Sequence, residues 1–149
     1  MSNAVELKNV TYSYSNGFKA VENVNITIEK GEKVAIIGQN GAGKTTTVKM
    51  MNGLLRPQEG KVIINGVDTA DKTTASISRS VGYVFQNPGD QLFNSSVYNE
   101  IAFALKAQGD SHEEIDRKVR NAAKVCHIDE YLETNPYDLP FSLRKFVTI

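Results

Sequence analysis

The sequence predicts an α/β domain in which an antiparallel strand pair precedes a glycine-rich loop and helix, with a helical subdomain further along. Three observations predict it. Alternating apolar and polar residues open the chain, an apolar run with no polar face stands at Val34-Ala35-Ile36-Ile37, and helical spacing with helix-start signals takes over beyond residue 94.

Val5, Leu7 and then Val10, Tyr12 and Tyr14 alternate with polar residues, the period-two pattern of a half-buried strand. Ser15-Asn16-Gly17 turns the chain, and Val24, Ile26 and Ile28 return antiparallel until Lys30-Gly31-Glu32. Val34-Ala35-Ile36-Ile37 is apolar on both faces, so a strand covered on both sides is expected, as in a parallel sheet. Gly38 to Lys44 is rich in glycine, and Thr45 to Leu55 carries helix formers until Arg56-Pro57 stops them. Lys61-Val62-Ile63-Ile64-Asn65-Gly66 predicts a short strand into a turn, and Val81-Gly82-Tyr83-Val84-Phe85 a second buried strand ending at Gln86. Ser95 or Ser96 caps a helix through Leu105. Ser111-His112-Glu113-Glu114 is a capping box for the next, whose apolar face holds Ile115, Val119, Ala122, Ala123 and Cys126. Its outer face sets Glu113, Glu114 and Asp116 four residues ahead of Arg117, Lys118 and Arg120.

Composition narrows the function classes. The 149 residues suit one domain, and 17 Lys plus Arg against 17 Asp plus Glu leave no basic field to gather a phosphate backbone, so nucleic acid is not expected as a partner. The longest apolar run, Ile101-Ala102-Phe103-Ala104-Leu105, falls far short of the ~20 residues that span a bilayer. Cys126 is the single cysteine and reads as a small hydrophobe; with no charged segment and apolar stretch at the start, a cytoplasmic location is expected. His112 and His127 have no partner at ligand spacing, which speaks against zinc.

The strongest signal is Gly38-Gln39-Asn40-Gly41-Ala42-Gly43-Lys44-Thr45, which fits G-x-x-x-x-G-K-[ST] between an expected strand and an expected helix. Glycines let the backbone curl so that successive N–H groups point inward, and the helix start adds partial positive charge where a β-phosphate would lie. Lys44 would bridge β- and γ-phosphates as a point charge. Thr45 would give its hydroxyl to Mg²⁺, whose remaining ligands would be water and phosphate oxygens.

With that loop in place, the order of segments resembles the ATP-binding subunit of an ABC transporter over residues 5–149. The energy-coupling factor or cobalt-type importer group is the nearest, because Val84-Phe85-Gln86-Asn87-Pro88-Gly89-Asp90-Gln91-Leu92-Phe93 looks like that group's Q-loop segment. The resemblance implies a P-loop NTPase of ABC type: an antiparallel N-terminal β-subdomain, a partial parallel α/β core over about 5–93, a helical subdomain over about 94–141, and the start of a post-signature helix over 142–149. It implies ATP with Mg²⁺, held by Tyr14, Gly38, Asn40, Gly41, Ala42, Gly43, Lys44, Thr45 and Thr46. Tyr14 would stack on adenine, unless it is a packed strand tyrosine as Tyr12 is expected to be. Lys44 and Gln86 would be the catalytic pair, with Gln86 reaching the metal and the attacking water beside Thr45. Gln91, Leu92 and Phe93 would sit near the groove that receives a helix of the membrane partner; Leu92 and Phe93 have a second reading, plugging the base of the helical subdomain.

Two departures shape the expectation. Where the family has Leu-Ser-Gly-Gly-Gln, this chain has Leu139-Pro140-Phe141-Ser142-Leu143; proline offers neither hydroxyl nor N–H, and phenylalanine crowds a close backbone approach. A degenerate signature half-site is expected, the alternative being a register shift that makes Ser142 the donor with no glycine beside it, and so an asymmetric pair is expected in which nucleotide on Lys44 meets the partner's intact signature. Family members also carry, beyond the position of Ile149, an apolar strand ending in Asp and a general-base Glu, then a histidine segment. No residue here takes the role of that base, so this stretch alone is expected to lack turnover, and its unpaired sheet edges to favour self-association. The implied partners are a second ATP-binding subunit and an integral membrane transport subunit, with the chain on the inner face of the cell membrane. The implied function is to couple ATP binding and hydrolysis to uptake of a vitamin or a metal ion such as cobalt. A soluble ABC-type ATPase of DNA repair or translation would need basic surfaces or long insertions, and a phosphate-loop kinase would place a lid after the loop in place of a sheet before it.

Overall fold

The computed structural model describes residues 2–149, which divide between Tyr83 and Val84 into two compact units. In the first, strands β1 (Asn3–Ser13), β2 (Lys19–Glu29), β3 (Glu59–Ile64) and β4 (Val67–Asp68) form one antiparallel sheet in the order β2-β1-β3-β4. Leu7 faces Ile26 and Val10 faces Val24, with a register shift between them. That shift is the physical source of the three-residue step from Leu7 to Val10 in an otherwise alternating strand. Asn9 and Asn23 take positive φ there, at 51° and 47°, and the Asn25 carboxamide oxygen accepts the Asn9 N–H at 2.9 Å. Gly60 lies across from the bulge, where a Cβ would stand 2.3 Å from the Lys8 and Asn9 carbonyl oxygens, so only glycine lets β3 approach. Asn65 and Gly66, both at positive φ, make the tight hairpin into β4.

Helix α1 (Lys44–Met51) and the short helix α2 (Thr74–Ile77) cover this sheet. Met50, Met51 and Ile77 bury themselves against Leu7, Val10, Val21, Val62 and Ile64, each large side chain contributing roughly 1.5–3 kcal/mol. The first helix ends at Met51 and not at Leu55 as the helix formers suggested. Asn52 caps it and Gly53, at φ 75°, turns the chain in the left-handed region, packed so tightly that a Cβ would sit 2.6 Å from Ile77 Cδ1.

Both buried strands expected of the parallel part differ from expectation. Val34-Ala35-Ile36-Ile37 joins no ladder among the described residues and lies exposed, Ile37 at 91%. Val81 to Phe85 likewise joins no ladder, with Gly82 and Val84 exposed and Val81, Tyr83 and Phe85 half-buried. A parallel strand holds its place through a neighbour's ladder hydrogen bonds, and none of the four strands lies beside these segments in the sheet.

The second unit is helical. Helix α3 (Val97–Gln108) starts at Ser96, whose hydroxyl accepts the Asn99 N–H at 3.2 Å, and ends on Gly109 at φ 86°. Helix α4 (His112–Val125) opens with the expected capping box of Ser111 and Glu114. Ile115, Val119 and Ala123 of α4 pack with Val97 and Ala102 of α3 and with Leu92, Ile128, Leu132, Leu139 and Val147; Ala122 is exposed and Cys126 half-buried. Of the charge pairs foreseen on the outer face, Asp116–Arg120 forms at 3.0 Å, whereas Lys118 turns to Asp110 at 2.6 Å because Glu114 is engaged in the cap. Helix α5 (Phe141–Val147) begins directly after Pro140. No described helix is long and apolar enough to cross a membrane.

Candidate nucleotide-binding site

The glycine-rich loop belongs to the first unit and leads into α1. Gly41 and Gly43 both sit in the left-handed region, at φ 85° and 79°, which curls the backbone before Lys44. Gly43 is pressed on β2: a Cβ there would lie 2.3 Å from the Ala20 carbonyl oxygen. Its own carbonyl accepts both the N–H of Thr47, at 2.8 Å, and the Thr47 hydroxyl, at 2.9 Å, anchoring the first turn of α1. The Ala42 N–H closes a turn on the Gln39 carbonyl at 3.2 Å. Gly38, Asn40, Gly41, Ala42 and Thr45 are exposed, while Gly43 and Lys44 are half-buried.

The Lys44 ammonium folds back over this loop and donates to the Gly38 and Gln39 carbonyls at 2.8 and 2.7 Å. A cation is thus parked at the loop mouth, on acceptors weaker than a phosphate oxygen. The donor set fits a polyphosphate: one ammonium, a curled run of N–H groups, a helix start, and an exposed Thr45 hydroxyl. No group of three or more His, Cys, Asp or Glu side chains among the described residues could hold a metal ion, so Mg²⁺ at Thr45 would draw its other oxygens from phosphate and water.

Tyr14 lies at the edge of the same loop. Its hydroxyl is 2.8 Å from Thr46 Oγ1, and its ring meets Tyr12 edge-on at 5.2 Å between centroids. Thr46 is buried and Tyr14 is 39% exposed, so the ring presents part of its surface to solvent from a fixed root. The structure therefore brings Tyr14, the 38–45 loop and Thr46 together.

Gln86 belongs to the second unit, where its side chain is exposed. The segment after it is a short 3-10 turn, Pro88–Asp90, capped by the Asn87 carboxamide oxygen, which accepts the Gly89 N–H at 3.0 Å. Leu92 is buried in the helical core, whereas Phe93 is 64% exposed and packs edge-on against Phe103 at 4.8 Å. Sequence reasoning missed what ties this segment down. Lys145, Gln91 and Tyr137 each bond its backbone, and one signal was available: Asn135-Pro136 repeats Asn87-Pro88, each asparagine accepting the N–H two residues on. At the signature position, Pro140 precedes α5 without a side-chain cap and Phe141 is exposed.

The sheet, the curled loop and the helix after it define the chain as a phosphate-loop protein of ABC type. It belongs to the ABC transporter family, whose family model matches residues 21–143. A putative ABC transporter ATP-binding protein of Clostridium acetobutylicum is 44% identical over 148 residues, 99% of this chain and 53% of that protein. The energy-coupling factor transporter ATP-binding protein EcfA2 of Acetivibrio thermocellus is 40% identical over 151 residues, 98% of this chain and 54% of that protein. Among solved structures, CbiO1 of Clostridium perfringens, part of the ABC transporter complex CbiONQ, aligns with a TM-score of 0.87 and 31% identity over 99% of this chain and 60% of that one. The chain spans about half the length of the curated relatives it matches.

Proposed function

We propose that this chain supplies the nucleotide-binding part of an ATP-driven import complex of the energy-coupling factor or cobalt type, linking ATP binding and hydrolysis to uptake of a vitamin or a metal ion such as cobalt. The observation that carries it is the loop at Gly38–Thr45: two left-handed glycines, one of them pinned on β2, and the Lys44 ammonium held on two carbonyls it can exchange for phosphate oxygens. On this reading Lys44 leaves Gly38 and Gln39 to bridge β- and γ-phosphates, backbone N–H groups from Gly41 to Thr45 take the remaining oxygens, and Tyr14 stacks on the base. Thr45 would hold the magnesium that arrives with the nucleotide, which would supply positive charge to offset that of the phosphates. Gln86 orients the attacking water. Residues from about 5 to 93 form the nucleotide-binding core, about 94–141 the helical subdomain and 142–149 the start of the helix after the signature position.

The partners are a second ATP-binding subunit and a membrane transport subunit, with the chain peripheral on the cytoplasmic face. The exposed Phe141 and the capless Pro140 support an asymmetric pair in which nucleotide on the partner is held more than it is turned over. Titration calorimetry of the chain with magnesium and an unhydrolysable ATP analogue tests the central point. Binding heat is expected for the wild type and its loss for Lys44→Ala; a folded wild type that gives no heat overturns the reading.

A further inference from the structure

The segment carrying Gln86 is fastened to α5 at both of its ends. The Lys145 ammonium donates to the Phe85 carbonyl at 2.5 Å and to the Gln86 carbonyl at 3.1 Å. The Gln91 carboxamide accepts the Phe85 N–H at 3.2 Å and donates to the Thr148 carbonyl at 3.1 Å, so one side chain spans the segment and the end of the helix. Tyr137, just before α5, donates its hydroxyl to the Leu92 carbonyl at 2.8 Å. Arg144 steadies that tyrosine from α5, with its guanidinium 5.4 Å from the ring centroid and an N–H on the Tyr137 carbonyl at 2.5 Å.

These contacts are unequal. Lys145 is half-buried and brings a full charge to two carbonyls, one of them belonging to Gln86 itself, and charge-assisted bonds are about twice as strong as neutral ones. The segment cannot slide along α5 without breaking them first. We propose that Lys145 is a positioning residue: it locks the root of the Gln86 side chain to the helix that follows the signature position, so that segment and helix move as one body, with Gln91 as the second clasp. The consequence for catalysis rests on the role proposed for Gln86; the clasp itself does not.

Hydrogen exchange on the chain separates the two. The amides of Phe85, Asp90, Gln91 and Leu92 are hydrogen-bonded within the segment and report its opening. Lys145→Met is expected to speed their exchange by about tenfold or more, the factor that loss of one charge-assisted bond implies, while amides of α4 keep their rates and Lys145→Arg restores most of the protection. In the assembled transport complex, Lys145→Met is expected to lower kcat for ATP hydrolysis with KM for ATP unchanged, and Lys145→Arg to recover it. Segment exchange that stays at the wild-type rate in Lys145→Met overturns the proposal, and so does exchange that rises equally in α4, which would make Lys145 a general stabiliser. Faster segment exchange with kcat unchanged keeps the clasp and overturns its catalytic consequence. Failure of the functional reading shows separately, as nucleotide binding indifferent to Lys44→Ala.

Discussion

The Tyr14 hydroxyl and Thr46 Oγ1 lie 2.8 Å apart, tying the end of β1 to the buried side of the first turn of α1. The ring is thereby held at the loop by its polar tip and by an edge contact with Tyr12. If it is the platform for a base, Tyr14→Ala loses the stacking contribution of about 1–3 kcal/mol and weakens ATP binding accordingly. Tripolyphosphate, which has no base, is expected to bind wild type and variant alike. Calorimetry with the two ligands makes the comparison, and equal losses for both would mean that Tyr14 only props the loop.

Two glycines of the loop share a left-handed φ and differ in their surroundings. At Gly41 a Cβ meets nothing within 4 Å, so Gly41→Ala carries the backbone cost alone, roughly 1–2 kcal/mol. At Gly43 the same methyl would run into the Ala20 carbonyl oxygen, and β2 or α1 has to shift. Thermal melts are expected to rank Gly43→Ala well below Gly41→Ala, and nucleotide binding to disappear first in Gly43→Ala.

Val34, Ile36 and Ile37 present exposed apolar surface on a backbone that joins no ladder among the described residues. Exposed apolar surface of this kind associates with other chains unless a charge interrupts it. The chain is expected to show a mass that grows with concentration in light scattering, and Ile37→Lys to bring it back to a single-chain mass. A single-chain mass for the wild type at every concentration would contradict this.

Burial pushes the Tyr98 phenol above its ordinary range, and the neighbouring Asp116 carboxylate adds to the shift while Arg120 opposes it. The folded state thus binds this proton more tightly than the unfolded chain does. The resulting stability is present below the unfolded phenol value of about 10 and is lost as pH rises through the folded one. Helical ellipticity is expected to fall in that alkaline window, and Tyr98→Phe to move the fall to higher pH; an unchanged profile in the variant would place its cause elsewhere.

Periodicity and turn chemistry carried most of the fold into view. The step from Leu7 to Val10 already contained the bulge at Asn9, and Ser111-x-x-Glu114 the start of α4. The loop from Gly38 to Thr45 was legible because its chemistry is local: each residue's task depends on its neighbours in the chain. The exposure of Val34 to Ile37 was not, since an apolar run states a need for cover without naming what provides it. Nor was the α5 end of helix packing on the Gln86 segment, where Lys145 reaches back across the sequence to two carbonyls. A lysine on a helix surface looks the same in sequence whether it meets water or a backbone turn. Helix α1 stopped early for a third reason: Gly53 ends it in a conformation the run of helix formers around it does not reveal.

The paired Asn-Pro turns carry a consequence for dynamics. At both Asn87-Pro88 and Asn135-Pro136 the proline ring sets one torsion and the asparagine oxygen captures the N–H two residues on, so the shape of each bend starts from contacts within three consecutive residues. The stretch around Gln86 is in this way preformed, like a casting that leaves the mould already rigid. Ordering this stretch against a ligand or a partner would therefore cost less entropy than ordering a flexible loop of the same length.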